Sequence, residues 1–224
     1  GGAANGGAIF VAAGSLRITN STIADGSATG GNGGAGVTNT QNLTSGGAGG
    51  AANGGLIRVD PSATLADIEF STFAGGQAVG GSGGTGQAPP FTGPSGVASG
   101  NAISAGTTAT ALSSVIVDVQ SGVSLCDGQV VAAGGSANLS DDNSCSGFTV
   151  HPLPGTTLKA IDASATPAYM PIWGSPAIDA AANCQDLTSQ NVATDQHDTH
   201  RPQGPKCDLG AIETDYIFVD GFGN

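Results

Sequence analysis

Two groups of acidic and histidine side chains are the main candidates for chemistry in this sequence of 224 residues. Residues 195–200 read Asp-Gln-His-Asp-Thr-His, which combines carboxylates with imidazoles. These are ligand types that bind zinc and other transition metals. The alternative is a polar loop in which Asp195 and Asp208 accept hydrogen bonds from backbone N–H groups in turns.

The second group is the adjacent pair Asp141 and Asp142. Paired carboxylates act as acid and base in glycoside hydrolases, including those built on parallel β-strands. A third acid on a neighbouring strand is not evident, and a turn within a loop closed by Cys126 and Cys145 also accounts for Asp142. We therefore predict no catalytic residue and no enzyme activity. An extracellular polysaccharide lyase or glycoside hydrolase is the alternative.

The charge composition disfavours two classes of function, nucleic-acid binding and polyuronate cleavage. The chain has 17 acidic and only 5 basic residues, which gives a net charge of −12. A surface that follows nucleic-acid phosphates needs many more cations, so we predict no nucleic-acid partner. A lyase also needs cations to neutralise a uronate carboxyl and a base to remove its neighbouring proton.

No apolar run approaches the roughly 18 residues of a membrane-spanning helix, so we predict no membrane span.

Four cysteines form two local pairs, Cys126 with Cys145 and Cys184 with Cys207. An even count at loop-closing spacings in an acidic, lysine-poor chain favours two disulfides and an oxidising compartment. Four reduced, buried thiols are the alternative. Zinc binding is disfavoured because the sequence lacks a Cys-x-x-Cys spacing.

An internal repeat organises the first half of the chain. Residues 6–11, Gly-Gly-Ala-Ile-Phe-Val, recur as residues 54–59 and more weakly as residues 100–103, at offsets of 48 and 46. Such self-similarity is the signature of repeat architectures. Later segments recur in the same order: residues 15–19 as 64–68, residues 21–23 as 71–73, and the glycine-rich residues 30–36 as 80–86.

Within each unit the apolar positions alternate and are mostly β-branched or Leu, which indicates β-strands. Short strands that recur in a fixed order become stable when successive units stack and hydrogen-bond to each other. The sequence therefore predicts an all-β parallel solenoid. An antiparallel sandwich is the alternative, although few two-residue hairpin turns separate the strands.

Glycine is concentrated in the N-terminal half, with 28 of the 39 glycines in residues 1–110. The two glycine-rich inserts match at every glycine, which a flexible linker has no reason to preserve. We therefore predict extended glycine strands that pack side by side, because the missing Cβ atoms let backbones approach closely. A flexible linker is the alternative.

The C-terminal half carries a specific series of motifs. These motifs are residues 138–145, 174–181, 194–196, 201–204 and 207–213. The series resembles the choice-of-anchor Q domain at the C-terminus of secreted bacterial proteins with right-handed parallel β-helices. That resemblance implies a right-handed β-helix in residues 1–136 and a C-terminal cap in residues 137–213, which contains or closes both predicted disulfides. Residues 214–224 are predicted separately as a tail strand.

The same resemblance bears on chemistry and location. It implies export to the bacterial cell surface or the extracellular space, and it places residues 195–200 in a structural cap rather than a metal site. We predict no metal ligand and no cofactor, with weak calcium binding on surface Asp side chains as the alternative. Tyr169 and Trp173 either pack in the core of the cap or stack on a cell-surface glycan, which is a second predicted partner.

The N-terminal unit begins without a segment that covers it, at Gly6, Gly7, Ala8 and Ile9. The chain also starts without Met or a leader, so we expect a processed N-terminus or one cropped from a longer chain. We predict that the C-terminal tail of another copy adds a strand to this open edge and forms head-to-tail filaments. The tail residues assigned to this interface are Tyr216, Ile217, Phe218, Val219 and Phe222.

The predicted function is therefore a secreted, non-catalytic structural or adhesive surface protein that assembles into an extracellular filament. A monomeric adhesin stalk cropped from a longer protein is a further alternative.

Overall fold

A computed structural model describes residues 1–39, 42–86, 91–117, 122–151, 158–161 and 167–214. Within these ranges the fold is all-β, without a helix. Accordingly, no helix there is long and apolar enough to cross a membrane. The strands are β1 (Ala4–Asn5), β2 (Ile9–Val11), β3 (Gly14–Thr19), β4 (Thr22–Ala24), β5 (Ser27–Thr29), β6 (Thr38–Asn39), β7 (Asn42–Leu43), β8 (Ala52–Asn53), β9 (Ile57–Val59), β10 (Ala63–Glu69), β11 (Thr72–Ala74), β12 (Gln77–Val79), β13 (Ala98–Ser99), β14 (Ile103–Leu112), β15 (Val115–Val117), β16 (Cys126–Ala132), β17 (Leu139–Ser140), β18 (Thr149–Val150), β19 (Leu158–Ile161) and β20 (Ala168–Pro171).

Most of these strands pair in parallel between successive repeat units. We call β1–β5 the first layer, β8–β12 the second layer, β13–β15 the third layer, and β16 with β17 the last layer, beyond which β18 adds one more strand. Equivalent strands lie side by side, in the orders β1-β8-β13 and β4-β11-β15-β17-β18, while β14 contacts both β9 and β10 on one side and β16 on the other. The predicted all-β fold with parallel strands is confirmed, and an antiparallel sandwich is wrong.

The register confirms part of the repeat alignment and corrects another part. Ile9 lies opposite Ile57, which lies opposite Ile103, as the offsets of 48 and 46 predict. The alignment of residues 15–19 with residues 64–68 is wrong by one position, since Ile18 pairs with Ile68. The register shifts between residues 63 and 65, where β10 contains an irregularity that adds one residue. A β-bulge of this kind cannot be read from the apolar pattern alone.

The main core lies between the two largest sheets. Ile57, Ile68, Phe73 and Ile116 have at most 1% of their surface exposed and belong to one apolar cluster. At the far end, Phe148 joins the same cluster together with the disulfide-bonded Cys126 and Cys145. The main core therefore extends into the last layer, while Val150 of β18 is 43% exposed.

A second apolar cluster covers the outer face of the sheet that contains β15. Val115 and Val117 point to this side, where they pack with Ala177 and Leu209 of the C-terminal segment. The segment thus lies along the flank of the layers, whereas the predicted cap would lie over their end. The run Val115-Ile116-Val117 explains the difference, because a strand that is apolar on both faces needs cover on both faces.

The glycine-rich inserts form a bundle beside the layers. Gly30, Gly33 and Gly36 donate backbone hydrogen bonds to the carbonyl oxygens of Val79, Ser82 and Thr85 at 2.8 to 2.9 Å. This spacing of three residues is the repeat of polyproline II helices. The prediction of extended glycine strands packed side by side is confirmed, and the flexible-linker alternative is wrong.

Four segments make up most of the bundle: out1 (residues 30–36), back1 (residues 44–50), out2 (residues 80–86) and back2 (residues 91–97). The out and back segments run antiparallel. Gly47 N donates to Gly34 O at 2.8 Å, and Gly93 N donates to Gly84 O at 2.9 Å. Most contacts between neighbouring segments are therefore backbone to backbone.

Candidate functional site

Asp195 organises the loop that was the candidate metal site. Its Oδ1 accepts hydrogen bonds from the backbone N of His197 at 2.7 Å and of Thr199 at 2.9 Å. Its Oδ2 accepts one from Glu213 N at 2.8 Å. The expected turn at Asp195 is confirmed. Among the described residues, no group of three or more His, Cys, Asp or Glu side chains is arranged to hold a metal ion.

Asp208 organises the next turn in the same way. Its Oδ1 accepts a hydrogen bond from Asp179 N at 2.8 Å, and its Oδ2 accepts bonds from Thr214 N at 2.8 Å and Thr214 Oγ1 at 2.5 Å. Burial raises the pKa of the Asp208 carboxyl, and the hydrogen bonds from Thr214 and Asp179 oppose that rise. The motif carboxylates thus satisfy backbone donors that would otherwise be buried without partners.

A buried ion pair lies between these two turns. Arg201 Nη1 donates to Glu213 Oε2 at 2.8 Å, and neither side chain is exposed to solvent. Arg201 also donates to Gly210 O at 2.8 Å and lies 4.8 Å from the centre of the Phe70 ring. Burial lowers the Arg201 pKa and raises the Glu213 pKa, while the attraction between the two charges opposes both shifts.

The C-terminal segment contacts three layers through polar bonds. Asn20 Nδ2 donates to Thr194 O at 2.6 Å in the first layer. Ala211 N donates to Thr72 Oγ1 at 3.0 Å in the second layer. Gly210 N donates to Ser113 O at 2.9 Å in the third layer. These contacts fasten the segment to successive layers as a strap along the flank.

A cluster that the sequence reasoning missed lies on the outer face of β3 and β10. Arg17 approaches Asp67 Oδ2 at 3.4 Å, Glu69 Oε1 at 3.8 Å and Asp186 Oδ2 at 4.0 Å. Leu187 N donates to Glu69 Oε1 at 3.3 Å and covers this carboxylate, which is fully buried. The spacing of Asp67 and Glu69 on one strand face was the available signal. The loop that covers them was not predictable.

Asp142 has the structural role that the sequence suggested. Its Oδ2 accepts a hydrogen bond from Leu125 N at 3.0 Å, and its Oδ1 accepts one from Ser144 N at 2.9 Å. Both bonds lie within or beside the loop that the disulfide between Cys126 and Cys145 closes.

Both predicted disulfides are present. Cys126 and Cys145 have Cα atoms 5.1 Å apart, and Cys184 and Cys207 have Cα atoms 5.6 Å apart. None of the four cysteines is free. The pairs indicate a non-reducing environment.

Tyr169 and Trp173 of the C-terminal module lie in different environments. Tyr169 is partly buried against the second apolar cluster, as expected for the core of the module. Trp173 has 60% of its surface exposed, so it does not pack in that core. An exposed indole of this kind offers a flat apolar face to a ligand.

Among the described residues, the first layer forms an open end of the fold. Strands β1 to β5 each occupy an outer position in their sheets. Gly6 N, Gly7 N and Ala8 N donate to the second layer at 2.9, 3.1 and 2.9 Å, and Ile9 is only partly buried. The other half of the predicted assembly interface lies outside the described residues: Tyr216, Ile217, Phe218, Val219 and Phe222.

Comparisons with known proteins add no relative. No protein-family model matches the chain, and neither a curated protein nor a solved structure matches it. The resemblance to choice-of-anchor Q domains therefore remains a prediction.

Proposed function

We propose that this protein is a secreted, non-catalytic structural protein that self-associates through its first layer. In this proposal the layers form a right-handed parallel β-helix, and residues 137–213 act as a choice-of-anchor Q-like module at the bacterial surface. Parallel pairing between the first three layers at offsets of 43 to 50 residues supports the helix. The two disulfides support export from the reducing cytoplasm.

The observation that carries the proposal is the exposed core at the first layer. Ile9, Leu16 and Ile23 pack against the main core but are only partly buried, whereas the neighbouring Ile57 and Phe73 are fully buried. Each first-layer strand also presents an outer backbone edge. Exposed apolar side chains beside unpaired strand edges are a template for adding another strand.

The tail of a second copy is the proposed partner strand. Residues 216–219 read Tyr-Ile-Phe-Val, which provides apolar side chains on both faces of a strand. If the tail of one copy adds to the first layer of the next, the contact is head-to-tail and does not close on itself. Contacts of this type generate filaments.

Deletion of residues 215–224 tests this assembly. We expect filaments in electron micrographs of the full chain and only single particles after the deletion. The double variant Tyr216→Ser with Phe218→Ser should behave like the deletion. Val97→Ser is the matched control, because it removes another apolar residue, 71% exposed, outside the proposed interface. Unchanged filaments after the deletion would exclude the tail.

A separate experiment tests the proposal that the protein is not an enzyme. We expect no turnover of uronans or pectins, with or without calcium. Turnover that Asp141→Ala or Asp142→Ala abolishes would instead establish the polysaccharide-acting alternative.

The exposure of Trp173 favours glycan binding as a second function of the surface protein. A sugar ring can stack on the indole face. We expect binding on a glycan array to be lost in Trp173→Ala and kept in Val97→Ala. Binding that Trp173→Ala leaves unchanged would place any glycan elsewhere.

A further inference from the structure

The two edges of the glycine bundle differ in a way that the chain itself does not explain. The strand registers relate equivalent positions in successive segments. Gly34 of out1 corresponds to Gly84 of out2, since β5 and β12 pair at an offset of 50. Thr92 and Ser95 of back2 correspond to positions of back1 that lie 46 residues earlier, Gly46 and Gly49.

Inside the bundle, glycine is required by a neighbouring backbone. A Cβ added to Gly84 would overlap the carbonyl oxygen of Gly34. A Cβ added to Gly50 would likewise overlap the carbonyl oxygen of Gly2. Glycine at these positions of out2 and back1 therefore leaves room for the backbone of the neighbouring first-layer segment.

At the first-layer edge, the equivalent glycines have no such neighbour. A Cβ added to Gly34 or to Gly2 meets no atom within 4 Å among the described residues. Glycine costs more conformational entropy on folding than alanine does. Among the described residues, no contact at Gly34 offsets that entropy cost. At the corresponding position of out2, Gly84, the absence of a Cβ makes room for the out1 backbone.

The opposite edge of the bundle is closed by side chains. A Cβ on Gly46 or Gly49 of back1 would overlap backbone atoms of out2. Their counterparts in back2, Thr92 and Ser95, carry exposed side chains where a further segment would have to approach. Pro94 between them also lacks a backbone N–H donor. Within the part of the chain that the structure describes, the bundle thus ends at back2 and stays open at out1.

We propose that the open edge, formed by Gly2 and Gly34, binds a further polypeptide segment in the polyproline II conformation with glycine at two of every three positions. The occupant would make the contact that out1 makes on out2, so the site continues an interface already present within the chain. This inference goes beyond the self-association proposed above, because the tail sequence Tyr-Ile-Phe-Val-Asp-Gly-Phe-Gly-Asn lacks the Gly-Gly-x repeat.

A synthetic peptide of residues 27–48 provides the probe, since it contains both the out1 and back1 sequences. Titration into the full chain, followed by NMR shifts of glycine amides, should show saturable binding. A peptide with alanine in place of Gly30 and Gly33 should not bind, because a Cβ at these positions of out1 would lie within 3 Å of the out2 backbone. Because the free peptide must become ordered on binding, its affinity is reduced by that entropy. A second variant therefore carries residues 27–48 duplicated before Gly1, which raises the effective concentration.

Substitutions in the protein separate binding from folding. Gly34→Ala should keep the wild-type melting temperature but weaken peptide binding at least tenfold. Gly134→Ala is the matched control, because its Cβ also meets no atom within 4 Å and it lies outside the bundle. It should leave both stability and binding unchanged. Gly84→Ala should lower the melting temperature, which would confirm that such a contact demands glycine.

Three results would overturn the proposal. The first is the absence of peptide binding together with no stabilisation in the duplicated variant. The second is equal binding by Gly34→Ala and wild type. The third is self-association of the chain that Gly34→Ala abolishes, since a second copy would then occupy the edge. Filaments that depend on residues 215–224 but not on Gly34 would leave this proposal intact, so the two proposals can fail separately.

Discussion

Arg201 and Glu213 form an ion pair in which neither side chain is exposed, with Nη1 and Oε2 2.8 Å apart. The guanidinium also lies 4.8 Å from the centre of the Phe70 ring, at the end of β10. One side chain therefore connects the C-terminal segment to itself and to the second layer. Such a contact, a cation over an aromatic face, is stronger where water is excluded.

Removal of one partner of this pair should be strongly destabilising. Arg201→Met leaves the Glu213 carboxylate buried without its counter-charge, which typically costs about 3 to 5 kcal/mol of unfolding free energy. Urea denaturation monitored by circular dichroism measures the loss. Lys206→Met is the control, because Lys206 is exposed and its replacement should change stability by less than about 0.5 kcal/mol. A loss below 1 kcal/mol for Arg201→Met would show that the pair contributes little.

The buried Glu213 carboxyl predicts an unusual dependence of the unfolding free energy on pH. Burial raises the pKa of Glu213 in the folded protein, and burial also raises that of Asp208. A carboxyl with a raised folded pKa binds its proton more tightly when folded, so its contribution is present at low pH and is lost as pH rises through that pKa. We expect the unfolding free energy to increase as pH falls from 7 toward the ordinary Glu value of 4.5.

Urea midpoints at pH 7, 6 and 5 test this sign. Glu213→Gln should reduce the increase, because the amide does not titrate. Stability that falls steadily over the same range in the wild type would contradict the raised pKa values.

Much of the fold could be predicted from local patterns, and the failures have identifiable causes. The repeats predict parallel strands because each unit places equivalent apolar residues, such as Ile9 and Ile57, in register. The shift in β10 was missed because one extra residue leaves its apolar alternation almost unchanged. The cluster around Arg17 was missed because it needs Asp186 from a distant part of the chain. The flank position of the C-terminal segment depends on the same kind of long-range contact.

The disulfide between Cys184 and Cys207 should help to keep this segment folded against the layers, because it joins two positions of the segment that pack in or against the second apolar cluster. Its loop spans 23 residues, for which chain entropy predicts a stabilisation of about 3 kcal/mol. We expect the double variant Cys184→Ser with Cys207→Ser to unfold at lower urea concentration and to be cut first by protease between these positions. The disulfide between Cys126 and Cys145 stays intact as an internal reference. Unchanged cleavage would mean that polar contacts such as that from Asn20 to Thr194 suffice to hold the segment.

The closed edge of the glycine bundle yields the last prediction. Thr92 and Ser95 of back2 correspond to Gly46 and Gly49 of back1, where the out2 backbone packs too closely for a Cβ. Replacement of both by glycine should open this edge, so that the bare first-layer edge of another copy can pack against it. Sedimentation velocity should then show concentration-dependent association of Thr92→Gly with Ser95→Gly beyond that of the wild type. Adding Gly34→Ala to this variant should reverse the gain, since a methyl group on the opposing edge prevents the close approach of two backbones. Association that persists with Gly34→Ala would mean that the contact forms elsewhere.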